Sequence, residues 1–243
     1  MISSKDIKNI RSLALKKFRD ETGLFVVEGE KMVEEALSSG FEVVEIYRRE
    51  DIGEEAMSRI SQLSSPSPVL AVLKQKEETG IKLENALYLA LDSIRDPGNL
   101  GTIIRIADWF GIKSVIGSMD TVELYNPKTV QATMGAIFRV SYHKTDLPEF
   151  SRKVLAAGGH VYGTFLDGKD IYSRELETGE NSPAVIVIGN ESNGISKEME
   201  ALVSDKLFIP PFPKGAKTSE SLNAAVATAI TVAEFRRRLW AKK

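Results

Sequence analysis

Apolar positions along the chain switch between a helical period and a strand period. Residues 5–18 carry apolar side chains at helical spacing, and LFVVEG (24–29) follows with strand character. A helix is expected over Lys31–Ser38, ending at Gly40, then a strand at FEVVEIY (41–47), a helix over Glu54–Leu63 and a strand at PVLAVLK (68–74). KQKEETGIKLEN (75–86) is polar with one glycine and reads as a linker.

Beyond it, YLALDSI (88–94) is a continuous apolar run of the kind buried in a parallel sheet. RDPGN makes a turn, after which Leu100, Ile103, Ile104, Ala107 and Phe110 recur at helical spacing. KSVIG (113–117) is a short strand, 126–136 a helix, 138–142 a strand, and 147–157 a helix stopped by Gly158-Gly159. HVYGTF (160–165), AVIVIG (184–189) and KLFIP (206–210) are strands, with a helix from its cap Ser196 to about Val203 between the last two. The final helix sets Leu222, Ala225, Val226, Ala229, Ile230 and Ala233 on one face. Strands alternating with helices predict an α/β fold with a mostly parallel sheet. No internal repeat or low-complexity segment interrupts the pattern.

Composition narrows the chemistry. The 243 residues suffice for one large domain or two modest ones. There are no cysteines and only His143 and His160, which disfavours thiol chemistry, a histidine triad and a metal site. No apolar run reaches the roughly 18 residues that span a bilayer. The start is too charged for a signal-peptide core, so a cytoplasmic protein is expected, with no membrane association. The net charge of −2 argues against a uniformly basic nucleic-acid binder. Its distribution is uneven: residues 1–19 hold six basic side chains and one acid, and the C-terminus adds Arg236, Arg237, Arg238, Lys242 and Lys243. Each cluster is either a solvated helix face or a phosphate contact.

Three loops follow strands of the second half, where open parallel sheets bind ligands. They are Asp96–Gly101 with Arg105 beyond it, Gly189–Gly194, and Pro210–Asn223. Each combines glycine with one or two polar side chains. None is a phosphate cradle of the GxxxxGK[ST] or GxGxxG type, which disfavours ATP and NAD. Each also has a structural explanation. Asn99 can cap the following helix, Arg105 can be a surface arginine, Glu191 a solvated turn residue, Ser221 an N-cap and Asn223 a first-turn residue. The conjunction of all three at one end of one sheet favours a site.

DPGNLGTIIRIADWFGI, VIVIGNESNGIS and IPPFPKGAKTSESLNAAVATAI resemble, in order, the three motifs of the SpoU (TrmH-like) family of SPOUT RNA methyltransferases. The similarity covers about 85–240. It implies a domain at 87–243 with a C-terminal trefoil knot, a linker at 76–86, and a small α/β RNA substrate-binding domain at 1–75. It implies transfer of a methyl group from S-adenosylmethionine to a ribose 2′-hydroxyl of structured RNA, ribosomal rather than transfer RNA, by a homodimer. The alternative is a non-catalytic RNA-binding protein that keeps the knotted fold.

Carried over by position, the resemblance implies a catalytic and RNA-facing set of Asn99, Arg105, Glu191, Ser221 and Asn223. It implies a cofactor-binding set of Gly163, Thr164, Gly189, Ile209 and Leu222. Arg105 maps to the family's proposed base. Because arginine stays protonated in proteins, a firmer role is to bind the adjacent phosphate and stabilise developing oxyanion charge. Two departures stand out: the 209–221 segment is longer than in many members, and Ala-Ala follows Asn223 where many have Val-Ser.

Overall fold

In a computed structural model of the chain, which describes residues 2–77, 80–213 and 221–241, two sheets each carry their own helices. The first sheet contains β1 (Leu24–Glu28), β2 (Val43–Arg48) and β3 (Val69–Lys74) in the order β1-β3-β2, with both pairings antiparallel. Around it lie α1 (Ser4–Ser12), α2 (Lys16–Thr22), α3 (Glu30–Ser38), α4 (Arg49–Ile52) and α5 (Glu54–Ile60). The single helix expected over 5–18 is in fact two. Leu13 turns inward to join Ile7, Ile10, Met57 and Ile60, and Leu15 is extended before α2 begins. Gly23 closes α2 in the left-handed conformation (φ 65°) that glycine adopts without strain.

The second sheet has six strands, all paired in parallel, in the order β6-β5-β4-β8-β7-β9. They are β4 (Leu87–Leu91), β5 (Ser114–Gly117), β6 (Ser141–Lys144), β7 (His160–Asp170), β8 (Ala184–Ile188) and β9 (Asp205–Phe208). One face packs on α6 (Pro97–Trp109) and α10 (Ala224–Ala241), the other on α8 (Leu147–Ala156) and α9 (Lys197–Glu200). β4 and β8 are buried at every position, the pattern of central parallel strands.

Several boundaries differ from the expectation. Residues 136–138 form a 3₁₀ turn after α7 (Pro127–Thr133), not the start of a strand, because Ile137 and Phe138 are buried against the first sheet. The helix capped by Ser196 is a single turn. The last helix begins at Ala224, and its buried face is rotated from the one expected. Ala224, Ala225, Thr228, Thr231, Val232 and Phe235 face the core, while Leu222 and Val226 are each 47% exposed. Small alanine and threonine side chains bring α10 close to α6, and Thr228 satisfies its buried hydroxyl on Ala224 O at 2.7 Å.

The two sheets share a core: Phe25, Met32, Phe41 and Leu73 pack against Val130, Ile137 and Phe138. Arg19, only 2% exposed, bonds Glu123 across this boundary at 2.9 Å and donates to Leu13 O and Ala14 O. Arg139 joins Glu35 of α3 (2.5 Å) to Asp108 of α6 (2.9 Å). Both carboxylates raise the affinity of the Arg139 guanidinium for its proton, the hydrogen bonds that Asp108 accepts first. The described part of the linker is not a free tether either, since Ile81, Leu83 and Ala86 pack on the second sheet.

The basic clusters are therefore partly consumed by the fold. Arg19 faces Glu123, Arg236 donates to Phe110 O and Gly111 O, and Arg237 and Arg238 both hold Glu234. Lys242 and Lys243 lie outside the described residues.

Candidate active site

Parallel pairing stacks the ends of β4, β8, β7 and β9 side by side, so the loops that leave them meet. After β4, Asp96 caps α6 by accepting the Asn99 N–H at 2.7 Å, with Pro97 in the first turn. Asn99 is therefore not the cap. Its side chain is released to donate from Nδ2 to Glu191 Oε1 at 2.7 Å. From the other side, Asn223 Nδ2 donates to Asn99 Oδ1 at 2.9 Å.

Asn223 also caps α10: its Oδ1 accepts from Ala225 N (2.9 Å) and Val226 N (3.3 Å). Ser221 is consequently not the cap; it is exposed two residues before it. α6 and α10 run parallel, with Asn223 beside Asn99 at one end and Arg236 beside Phe110 at the other. Both helix N-termini thus face the same point, where their dipoles favour negative charge.

The loop after β8 is rigid on its own terms. Asn190 and Gly194 exchange backbone hydrogen bonds at 2.9 Å, and a β-carbon on Gly189 would sit 2.3 Å from Gly194 C, so only glycine fits. Asn190 Oδ1 accepts from Ser192 N and Asn193 N, and its Nδ2 donates to Ser93 O at 2.6 Å. Asp92 accepts the Ser196 N–H at 2.7 Å. Asn190, Asp92 and Asp96 were missed from the sequence. Each is an Asx acceptor just past a strand, and that position is the signal that finds Asp96.

Arg105 stands two turns into α6, exposed, and among the described residues it has no hydrogen bond or ion pair. Glu191 pairs with Asn99 instead. Thr164, on the α10 side of β7, lies beside Leu207, and its hydroxyl is 3.5 Å from Val187 O. Gly163 points to the opposite side, where a β-carbon would press on Phe165, Val203 and Ile195, so packing alone explains this glycine. Ile209 packs at the margin of the core shared by α6 and α10, and Leu222 is half exposed beside the Asn223 cap.

At this point the described residues place one carboxylate, Glu191, and two side-chain amides, Asn99 and Asn223, ordered by each other.

Comparison with known proteins agrees with this geometry. The model of the SpoU rRNA Methylase family matches residues 86–233, and that of the MRM3-like substrate binding domain matches 4–76. The 23S rRNA (guanosine(2553)-2′-O)-methyltransferase RlmP of Bacillus subtilis is 32% identical over 249 residues, covering 96% of this chain and 96% of that one. The AdoMet-bound rRNA methyltransferase of Sinorhizobium meliloti superposes with a TM-score of 0.85 at 33% identity, over 98% and 97% of the two chains. The SpoU methyltransferase AviRb of Streptomyces viridochromogenes, at 22% identity and a TM-score of 0.82 over 98% of this chain and 99% of that one, shares the fold. With the family model spanning more than half its length and a relative aligned end to end, this chain belongs to the SpoU rRNA methylase family.

Proposed function

We propose that the chain methylates a ribose 2′-hydroxyl of ribosomal RNA with S-adenosylmethionine, at a site built on Asn99, Glu191 and Asn223. The carrying observation is the unbroken side-chain relay Asn223–Asn99–Glu191, which ties the segments after the adjacent strands β4 and β8 to the start of α10. S-adenosylmethionine supplies an electrophilic methyl group on a sulfonium. Thr164, Gly189, Ile209 and Leu222 would hold it, largely through backbone groups, with Gly163 supporting β7 beneath.

The acceptor hydroxyl must be aligned in line with the methyl group and must lose a proton. Arg105, unspent on the protein, binds the phosphate next to the target ribose and stabilises the developing oxyanion. Glu191 is the acceptor within reach for the proton, and Asn99 fixes its orientation. Ser221 and Asn223 border the ribose at the start of α10.

The first sheet and its helices, residues 1–75, act as the RNA substrate-binding domain, joined through 76–86 to the methyltransferase domain at 87–243. The trefoil knot expected in the C-terminal part of the methyltransferase domain involves residues 214–220, which lie outside the described residues. A homodimer is supported by exposed apolar side chains near α10, Leu222 just before it and Val226 and Trp240 (75% exposed) on it, and by Trp109 (85% exposed) on neighbouring α6. No helix among the described residues is long and apolar enough to cross a membrane. A cytoplasmic location is part of the same proposal.

Calorimetric titration with S-adenosylmethionine tests the reading: one site per chain, weakened at least tenfold by Asn99→Ala, is expected. No heat at millimolar cofactor would instead favour a non-catalytic RNA-binding protein.

A further inference from the structure

A second recess lies away from the catalytic loops, a cleft of about 280 Å3 between the two sheets. Its size is at the small end of ligand cavities, which run about 300–1,000 Å3. One wall is the edge strand β6, with Tyr142, His143 and Lys144; the other is the segment leaving β3, with Gln75 and Lys76. Tyr125 joins the walls: its hydroxyl accepts the Lys76 N–H at 3.0 Å, and its ring lies 4.6 Å from that of Phe25. The Lys76 ammonium sits 4.4 Å over the Phe41 ring.

We propose that this cleft receives one unpaired nucleotide of the RNA substrate, a few residues along the strand from the methylated ribose. The proposal rests on the RNA methyltransferase reading. Three observations carry it. The lining mixes aromatic rings, an amide, an imidazole and lysines, the groups that stack, hydrogen-bond and neutralise a splayed-out nucleotide, and of its carboxylates Asp20 is paired with Lys16 and Glu123 with Arg19, leaving Glu77. The cleft is held in shape from both sides, by Arg19 on Glu123 and by Arg139 between Glu35 and Asp108.

A chain of hydrogen bonds also links it to the candidate active-site loops. Lys144 Nζ donates to Met119 O and Thr121 O in the loop after β5, and Ser118 and Asp120 of that loop accept from Ser93 N (2.9 Å) and Ser93 Oγ (2.6 Å). Ser93 O in turn accepts from Asn190, the neighbour of Glu191. β6 is two strands from β4, about 10 Å at about 4.8 Å per strand, a span that one or two nucleotides of extended RNA cross.

The test uses the full chain and a 23S rRNA transcript substituted with 4-thiouridine, with a second transcript carrying 6-thioguanosine. Irradiation should crosslink RNA to peptides containing 75–77 or 141–144. Lys76→Glu should raise KM for the unsubstituted transcript about tenfold while kcat and the S-adenosylmethionine Kd stay within about twofold. Lys153→Glu, an exposed reversal on α8, should change none of these. His143→Ala, with its melting temperature checked, should repeat the KM effect.

A wild-type chain that methylates the transcript, yet neither crosslinks there nor responds to Lys76→Glu, overturns the cleft alone. A KM effect seen only on ribosomal particles and absent on naked RNA also overturns it, by making the cleft a protein contact. Crosslinking at 141–144 without any methyl transfer keeps the cleft and overturns the methylation reading.

Discussion

Asn223 and Asn99, 124 residues apart in sequence, meet through a 2.9 Å hydrogen bond between side-chain amides at the N-termini of two parallel helices. Each asparagine has a second duty. Asn99 donates to Glu191, and Asn223 caps α10. The two duties of Asn223 can be separated by substitution. Asn223→Asp keeps the capping oxygen and removes the amide donor. It should leave the melting temperature within about 2 °C while methyl transfer falls at least tenfold. Asn223→Ala removes both, costing about 1 kcal/mol of stability as well. Thermal melts and initial rates on the pair of variants check the separation.

Asn99→Asp sets a second carboxylate against Glu191 at the present 2.7 Å contact. Two carboxylates that close cannot both be ionised, so one must bind a proton. Cofactor affinity of this variant should be poor near pH 8 and recover toward about pH 5, as a protonated acid replaces the lost donor. The wild-type chain should show no such recovery in calorimetric titrations across the same range.

Among the described residues Arg105 has no hydrogen-bond or ion-pair partner to lose, so its removal should not disturb the fold. Arg105→Ala should bind S-adenosylmethionine within about twofold of the parent and methylate RNA at least a hundredfold more slowly. Parental methylation by this variant would remove Arg105 from the site.

The buried Arg19–Glu123 pair predicts a different signature. Arg19→Met strands Glu123 beside a shared core and leaves the Leu13 and Ala14 carbonyls without their donor. Breaking such a pair costs about 3–5 kcal/mol. Urea unfolding followed by far-ultraviolet circular dichroism should show that loss, still as a single transition of both sheets, because their core is common.

Acid should weaken the C-terminal helix. Glu234 is 4% exposed, and hydrogen bonds from Arg237, then Arg238, hold its carboxyl below the usual range against the opposing effect of burial. A depressed folded pKa contributes stability above the unfolded value and loses it as pH falls through the folded one. The stability gap between the parent and Glu234→Gln should therefore be widest near neutrality and close below about pH 4.

Much of this was legible in the sequence, for physical reasons. Strands buried on both faces, such as β4 and β8, are short continuous apolar runs and announce themselves. The catalytic loops follow those strands, so Asn99, Glu191 and Asn223 could be proposed together. What failed was rotation and partnership. Of the expected face Leu222, Ala225, Val226, Ala229, Ile230 and Ala233, only Ala225 is buried, and the buried side of α10 carries Ala224, Thr228, Thr231, Val232 and Phe235 with it. Close helix packing selects small residues over greasy ones, and an exposed apolar stripe looks like a core face until a partner is considered. Arg19 and Arg236–Arg238 read as free basic clusters because their acceptors, Glu123, Glu234 and backbone carbonyls, are set by tertiary contacts that no local pattern shows. The roles of Asn99 and Ser221 as caps were likewise reassigned, to Asp96 and Asn223, by one hydrogen bond each.

The central claim is that the Asn223–Asn99–Glu191 relay presents a methyl donor to a ribose hydroxyl. The most direct measurement is transfer from methyl-labelled S-adenosylmethionine to a 23S rRNA transcript, followed by alkaline hydrolysis. A single labelled dinucleotide that resists alkali, absent with Asn99→Ala, is the predicted result. Label released on a base, or no label in RNA despite bound cofactor, would contradict the account.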